Sequence, residues 1–136
     1  MPLGYKQMVA EALAEIVTLS PQQAADKMNQ PDVVLVDIRD PRELERDGAV
    51  PGAFHATRGM LEFWIDPESP YHKPVFAEPK QFIFFCAGGL RSALAGQTAK
   101  RMGLERVAHI DGGFGAWKKA GLPVAPWASK QPGEKK

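Results

Sequence analysis

Phe82-Ile83-Phe84-Phe85-Cys86-Ala87-Gly88-Gly89-Leu90-Arg91-Ser92 is the stretch from which the rest of the chain can be read. A continuous apolar run of this length reads as a strand covered on both faces, the pattern of a parallel sheet. The run ends in Cys86, the sole cysteine, and four residues separate it from Arg91. A helix is expected to begin at about Ser92. A cysteine so placed lies at the carboxyl end of a parallel strand, where open α/β sheets bind ligands. Gly88 and Gly89 let the backbone curl with its N–H groups turned inward, forming an anion-holding nest. The helix start and Arg91 both favour negative charge at the same spot. The expectation is a thiolate favoured over the thiol and a usable nucleophile. A lone cysteine behind a buried strand is otherwise a small core residue. The glycine pair, the arginine and the helix start tip the reading toward chemistry.

Outward from this stretch the chain alternates strands and helices. Val33-Val34-Leu35-Val36 is a second covered strand, and Val107 to Ile110 a short third. Residues 8–16 carry Met8, Val9, Ala12, Leu13 and Ile16 at helical spacing. Ser20-Pro21-Gln22-Gln23 predicts a helix start with a capping box, and Asp40-Pro41-Arg42-Glu43 repeats the logic. Arg91 to Met102 and Gly113 to Ala120 complete the helices, with Gly121 and Pro123 closing the last. One α/β domain with a mostly parallel sheet follows. Residues 1–17 are read as an N-terminal helix, 18–125 as the domain and 126–136 as a loose polar tail. Residues 59–80 hold four prolines together with Leu61, Phe63, Trp64, Tyr71 and Phe76. Proline forbids a long regular element there, and the aromatics argue for a packed loop or lid.

Composition narrows the function. The chain has 136 residues, 44% hydrophobic and 24% charged, as expected of one globular domain. Lys+Arg is 17 and Asp+Glu 16, a net charge of +1 that gives no general pull toward nucleic acid or an anionic membrane. The longest apolar stretch falls far short of the roughly 20 residues of a membrane span. The N-terminus does not read as a signal peptide. One cysteine allows no intramolecular disulfide and no multi-cysteine metal site, so neither metal nor cofactor is expected, and a cytoplasmic setting is the default.

Four motifs, the Cys86 loop among them, stand in order along the chain. They are Leu35-Val36-Asp37-Ile38-Arg39 with Glu43, Val50-Pro51-Gly52-Ala53, Cys86-Ala87-Gly88-Gly89-Leu90-Arg91-Ser92, and His109-Ile110-Asp111-Gly112-Gly113-Phe114-Gly115-Ala116-Trp117. Over about residues 18–124 the chain thereby resembles a single-domain rhodanese, a sulfurtransferase. The resemblance implies a three-layer rhodanese-like domain, with helices on both faces of a parallel sheet of about five strands. It also implies a double displacement: Cys86 takes a sulfane sulfur from a small donor such as thiosulfate and holds it as a persulfide. Amides of residues 87–91 stabilise the charge, and a thiol, cyanide or a protein acceptor removes the outer sulfur. Related phosphatases use a loop one residue longer than the six residues from Cys86 to Arg91. Some relatives carry a basic residue directly after the cysteine, where this chain has Ala87, which makes thiosulfate an assay donor more than a physiological one. The rivals are a non-catalytic binding module on the same fold, a thiol-based phosphatase or arsenate reductase, and a redox-sensing thiol.

The remaining candidates carry less specific signals. Asp37 and Arg39 read either as supports of the active-site loop through buried hydrogen bonds or, the favoured account, as a structural polar network with Glu43 whose truncation costs stability more than chemistry. Arg58 is placed to reach an anionic substrate, and an ordinary surface arginine accounts for it equally. His55, His72 and His109 have no metal-ligand spacing and read as packed or surface side chains. Phe63, Trp64 and His72 belong to the expected lid over Cys86, with patching of the sheet edge as the simpler account. Trp117 reads as core.

Overall fold

The computed structural model describes residues 2–127. Its elements are α1 (Tyr5–Glu15), β1 (Val17–Leu19), α2 (Pro21–Lys27), β2 (Val33–Asp37), α3 (Pro41–Asp47), β3 (Phe54–His55), α4 (Leu61–Ile65), β4 (Gln81–Phe85), α5 (Leu90–Arg101), β5 (Arg106–Ile110) and α6 (Gly113–Lys119). Single 3-10 turns at Arg58–Met60 and Pro74–Ala77 flank α4. The five strands form one sheet in the order β1-β5-β4-β2-β3, every pair parallel.

Side-chain alternation along the central strands divides the core into two layers. Val36, Phe82, Phe84 and Val107 face one side, together with Cys86, and meet Ala95 and Ala99 of α5, Leu61 and Ile65 of α4, and Phe76. Leu35, Ile83, Phe85, Ala108 and Ile110 face the other and meet Ala24 of α2 and Phe114 and Trp117 of α6. A strand with apolar side chains on both faces is stable only when both are covered, which is what the continuous runs at 33–36 and 82–85 demand. Each phenylalanine buried here contributes about 1.5–3 kcal/mol. Helix α1 adds a small outer layer, Val9 and Ala12 on Ala93 of α5.

The starts of α2 and α3 follow their sequence signals, whereas α5 begins at Leu90, ahead of the expected Ser92. Ser20 and Gln23 cap each other reciprocally at α2, as do Asp40 and Glu43 at α3. Trp117 is fully buried and donates its indole N–H to the Pro123 carbonyl at 2.8 Å. Two edge strands, β1 and β3, are additions to the three strands legible as apolar runs. Helix α1 begins at Tyr5, ahead of the periodic pattern. Ala49 and Ala125 exchange backbone hydrogen bonds at the end of the domain, and in the expected tail the Trp127 ring meets His55 at 5.5 Å between centroids. Residues 128–136, the rest of that tail, lie outside the described residues. No helix among the described residues is long and apolar enough to cross a membrane.

Candidate active site

Cys86 follows the last residue of β4 directly, in the middle of the sheet, and Gly89 caps α5 with φ +103. That left-handed conformation is open to glycine at little cost. It turns the chain so that the Gly89 amide donates to Cys86 Sγ at 3.2 Å and the Ser92 amide at 3.3 Å. Cys86 is 1% exposed, while Ala87, Gly88, Leu90 and Arg91 are exposed around it. The sulfur therefore lies at the floor of a six-residue loop, with two amides aimed at it. One of these donors, Ser92, falls one residue beyond the 87–91 set read from the sequence, because its amide opens the first turn of α5.

A second shell of contacts sets this loop. Glycine 113, with φ +59, lies against its backbone, and the Phe114 and Gly115 amides donate to the Cys86 and Ala87 carbonyls at 2.7 and 3.0 Å. The Gly112-Gly113 pair thus does more than turn the chain into α6. It lets two backbones approach until one start of helix holds the other. Ser92 Oγ lies 3.3 Å from the Gly89 carbonyl and 3.0 Å from His109 Nδ1, and His109 Nε2 lies 3.1 Å from Thr18 Oγ1. A single orientation satisfies all of these: Thr18 donates to Nε2, Nδ1–H donates to Ser92, and Ser92 donates to Gly89. Burial pushes the His109 pKa down, against the charge of Asp111, which keeps the ring neutral in this chain of hydrogen bonds.

Asp37 and Arg39 form a buried pair, Oδ2 to Nη2 at 2.7 Å, with side chains 2% and 1% exposed. Arg39 also donates to the Gly48 carbonyl at 2.8 Å and covers the Phe114 ring at 4.0 Å. The pair therefore supports α6, and through α6 the loop. Glu43 is the correction to the expected network. It sits on α3 and bonds elsewhere: its Oε1 and Oε2 accept from Arg91 Nη2 and Nη1, both at 2.9 Å. Geometry of that kind is bidentate and charge-assisted. Glu43 therefore joins Arg91 of the Cys86 loop and not the Asp37–Arg39 pair. Its capping role was the visible signal, and the tether to Arg91 spans the fold.

The other candidates are dispersed. Arg58 pairs with Glu62 one turn along, at 2.9 Å. Trp64 packs edge-on against Phe54 at 5.9 Å and lies under Lys73 at 4.7 Å. Phe63 is 52% exposed and meets Tyr71, and His72 Nδ1 lies 2.9 Å from the Trp64 carbonyl. Leu61, Ile65 and Phe76 from the 59–80 segment are buried in the same cluster as Cys86, so part of this segment is core.

A family model for the rhodanese-like domain matches residues 20–120. Thiosulfate sulfurtransferase GlpE of Glaesserella parasuis serovar 5 (strain SH0165) is 36% identical over 106 residues, covering 78% of this chain and 90% of its own. A solved structure from Rhodopseudomonas palustris CGA009, a protein of unknown function described as a possible tyrosine phosphatase, superposes with a TM-score of 0.89 at 60% identity, covering 92% of this chain and 96% of that one. The polysulfide-sulfur transferase homodimer of Wolinella succinogenes gives a TM-score of 0.71 at 32% identity, covering 92% and 89%.

Proposed function

Since the chain belongs to the rhodanese-like domain family, we propose that it is a sulfurtransferase that carries a sulfane sulfur on Cys86. The observation that carries this reading is the cradle of Gly89 and Ser92 amides on a sulfur at the floor of a six-residue loop. With thiosulfate, the Cys86 thiolate attacks the outer sulfur. The Sγ–S bond forms, the donor's S–S bond breaks, and sulfite leaves with the electron pair. An acceptor thiol or cyanide then attacks the outer sulfur of the persulfide, and Sγ regains the pair. Fixed amide dipoles favour the anionic sulfur throughout without reorganising. Small sulfur donors and thiol acceptors are the partners this scheme requires.

A phosphatase reading is favoured by the described relationship of the Rhodopseudomonas palustris neighbour. Against it stand the six-residue loop and the names of the two sulfurtransferase relatives. One experiment separates the two. Intact mass spectrometry after thiosulfate treatment should show wild type heavier by about one sulfur, the gain erased by cyanide and absent in Cys86→Ser. Hydrolysis of an aryl phosphate without sulfur loading would overturn the reading.

The 59–80 segment is proposed as the wall that protects the persulfide from water and stray thiols. Its support is the packing of Trp64 against the apolar cluster that includes Cys86. Removing the whole segment would also remove core residues, so Trp64→Ala is the sharper test. A severalfold shorter persulfide lifetime is expected, read by mass spectrometry over time. An unchanged lifetime in the folded variant would refute the shielding role.

A further inference from the structure

Arg91 lies beside the sulfur, yet its charge is engaged. Both of its terminal nitrogens bond to Glu43. Glu43 cannot swing away easily, because Oε2 also accepts the Asp40 amide at 2.9 Å in the capping box of α3. The Arg91 hydrogen bonds hold the Glu43 carboxyl down to about 2 against the opposing effect of burial, with the Asp40 amide helping. Glutamate 43 is thus an anion at any working pH. Around the attacking Cys86 thiolate the Arg91 guanidinium then faces two anions, while the Arg39 charge that also acts on Glu43 is balanced by Asp37. Ala87 and Gly88 add no charge, and Leu90, 55% exposed, presents hydrocarbon at the mouth.

We infer that Glu43 is a specificity-determining residue: by occupying Arg91 it directs the site toward sulfur donors of lower negative charge, such as alkyl persulfides, and away from dianionic thiosulfate. The inference rests on the sulfurtransferase reading and names its donor class. The loading step balances as Cys86–S⁻ + R–S–SH → Cys86–S–SH + R–S⁻. The Sγ–S bond forms, the donor's S–S bond breaks, and the thiolate R–S⁻ leaves with the electron pair. Thiosulfate must instead bring two negative charges to a site already net negative, a repulsion that ions in solution screen.

The test compares loading rates with thiosulfate and with ethyl persulfide, by mass spectrometry, for wild type, Glu43→Gln and Ala87→Lys. Wild type should favour ethyl persulfide, and its thiosulfate rate should rise with ionic strength. Glu43→Gln should raise the thiosulfate-to-persulfide rate ratio about tenfold, as expected for one unit of charge near a protein surface, and flatten the salt dependence. Ala87→Lys should shift the ratio the same way while leaving the Glu43–Arg91 tether in place. A merely structural Glu43 would lower both rates together and leave the ratio and the salt slope alone. That result, or an unmoved ratio in Ala87→Lys, overturns the inference. Failure of both donors to load wild type would instead defeat the sulfurtransferase reading.

Discussion

Asp37→Ala is expected to destabilise the domain by about 3–5 kcal/mol, the cost of leaving one member of a buried ion pair alone. Asp37 receives the Arg39 backbone amide and its Nε and Nη2 groups, at distances from 2.7 to 3.1 Å. Both side chains are almost wholly shielded from solvent. Truncation would leave the guanidinium with the Gly48 carbonyl and the Phe114 ring as partners. Neither carries a charge to replace the carboxylate. Domains of this size have a total stability of about 5–15 kcal/mol, so the loss consumes much of it. Urea denaturation should show a lower midpoint at similar slope.

The same argument sets a contrast. Asp37→Leu combined with Arg39→Met removes both charges, and such replacements are often close to neutral. The double variant should therefore be more stable than Asp37→Ala, despite carrying one more substitution. At a temperature where Asp37→Ala is folded, its sulfur loading per folded molecule should fall less than its stability, because the pair acts on the loop only indirectly, through α6. A loss below about 1 kcal/mol would show that the buried arginine finds adequate compensation without Asp37.

How far such features could be read in advance depends on their reach along the chain. β2 and β4 announce themselves because strands buried on both faces need unbroken apolar runs. β1 and β3 do not: they have three and two residues, and their outer positions are exposed or half-buried. Their pairing is decided by the strand beside them, so no local pattern marks them. The cradle around Cys86 is legible for the opposite reason, since nucleophile, glycines and helix start lie within seven residues. Partnerships between distant elements leave no local signal. Glu43 and Arg91 are 48 positions apart, and the nearer Asp37 and Arg39 were the obvious partners. His109 reads as an ordinary packed histidine until the sheet register sets it beside Thr18 and α5 brings Ser92 over it.

Gly113→Ala is expected to impair both stability and sulfur transfer, and the reason is the close approach that no sequence pattern shows. A Cβ at this position would stand 2.4 Å from the Cys86 carbonyl oxygen and 2.9 Å from the Ala87 carbonyl carbon and oxygen. These are backbone atoms and cannot rotate aside as a side chain would. Relief requires α6 to retreat from the loop, which lengthens the Phe114 amide bond to the Cys86 carbonyl, now 2.7 Å. A displacement of about 1 Å at a reacting group can cost about a hundredfold in rate, so loading should fall on that order. Gly121→Ala isolates the clash from the backbone preference. Gly121 has a similar φ of +75, and a Cβ there meets nothing within 4 Å. It should incur only the left-handed backbone strain, about 1–2 kcal/mol, and keep its transfer rate. If Gly113→Ala loads sulfur as fast as Gly121→Ala, the contact between α6 and the Cys86 loop does not set the geometry of the sulfur.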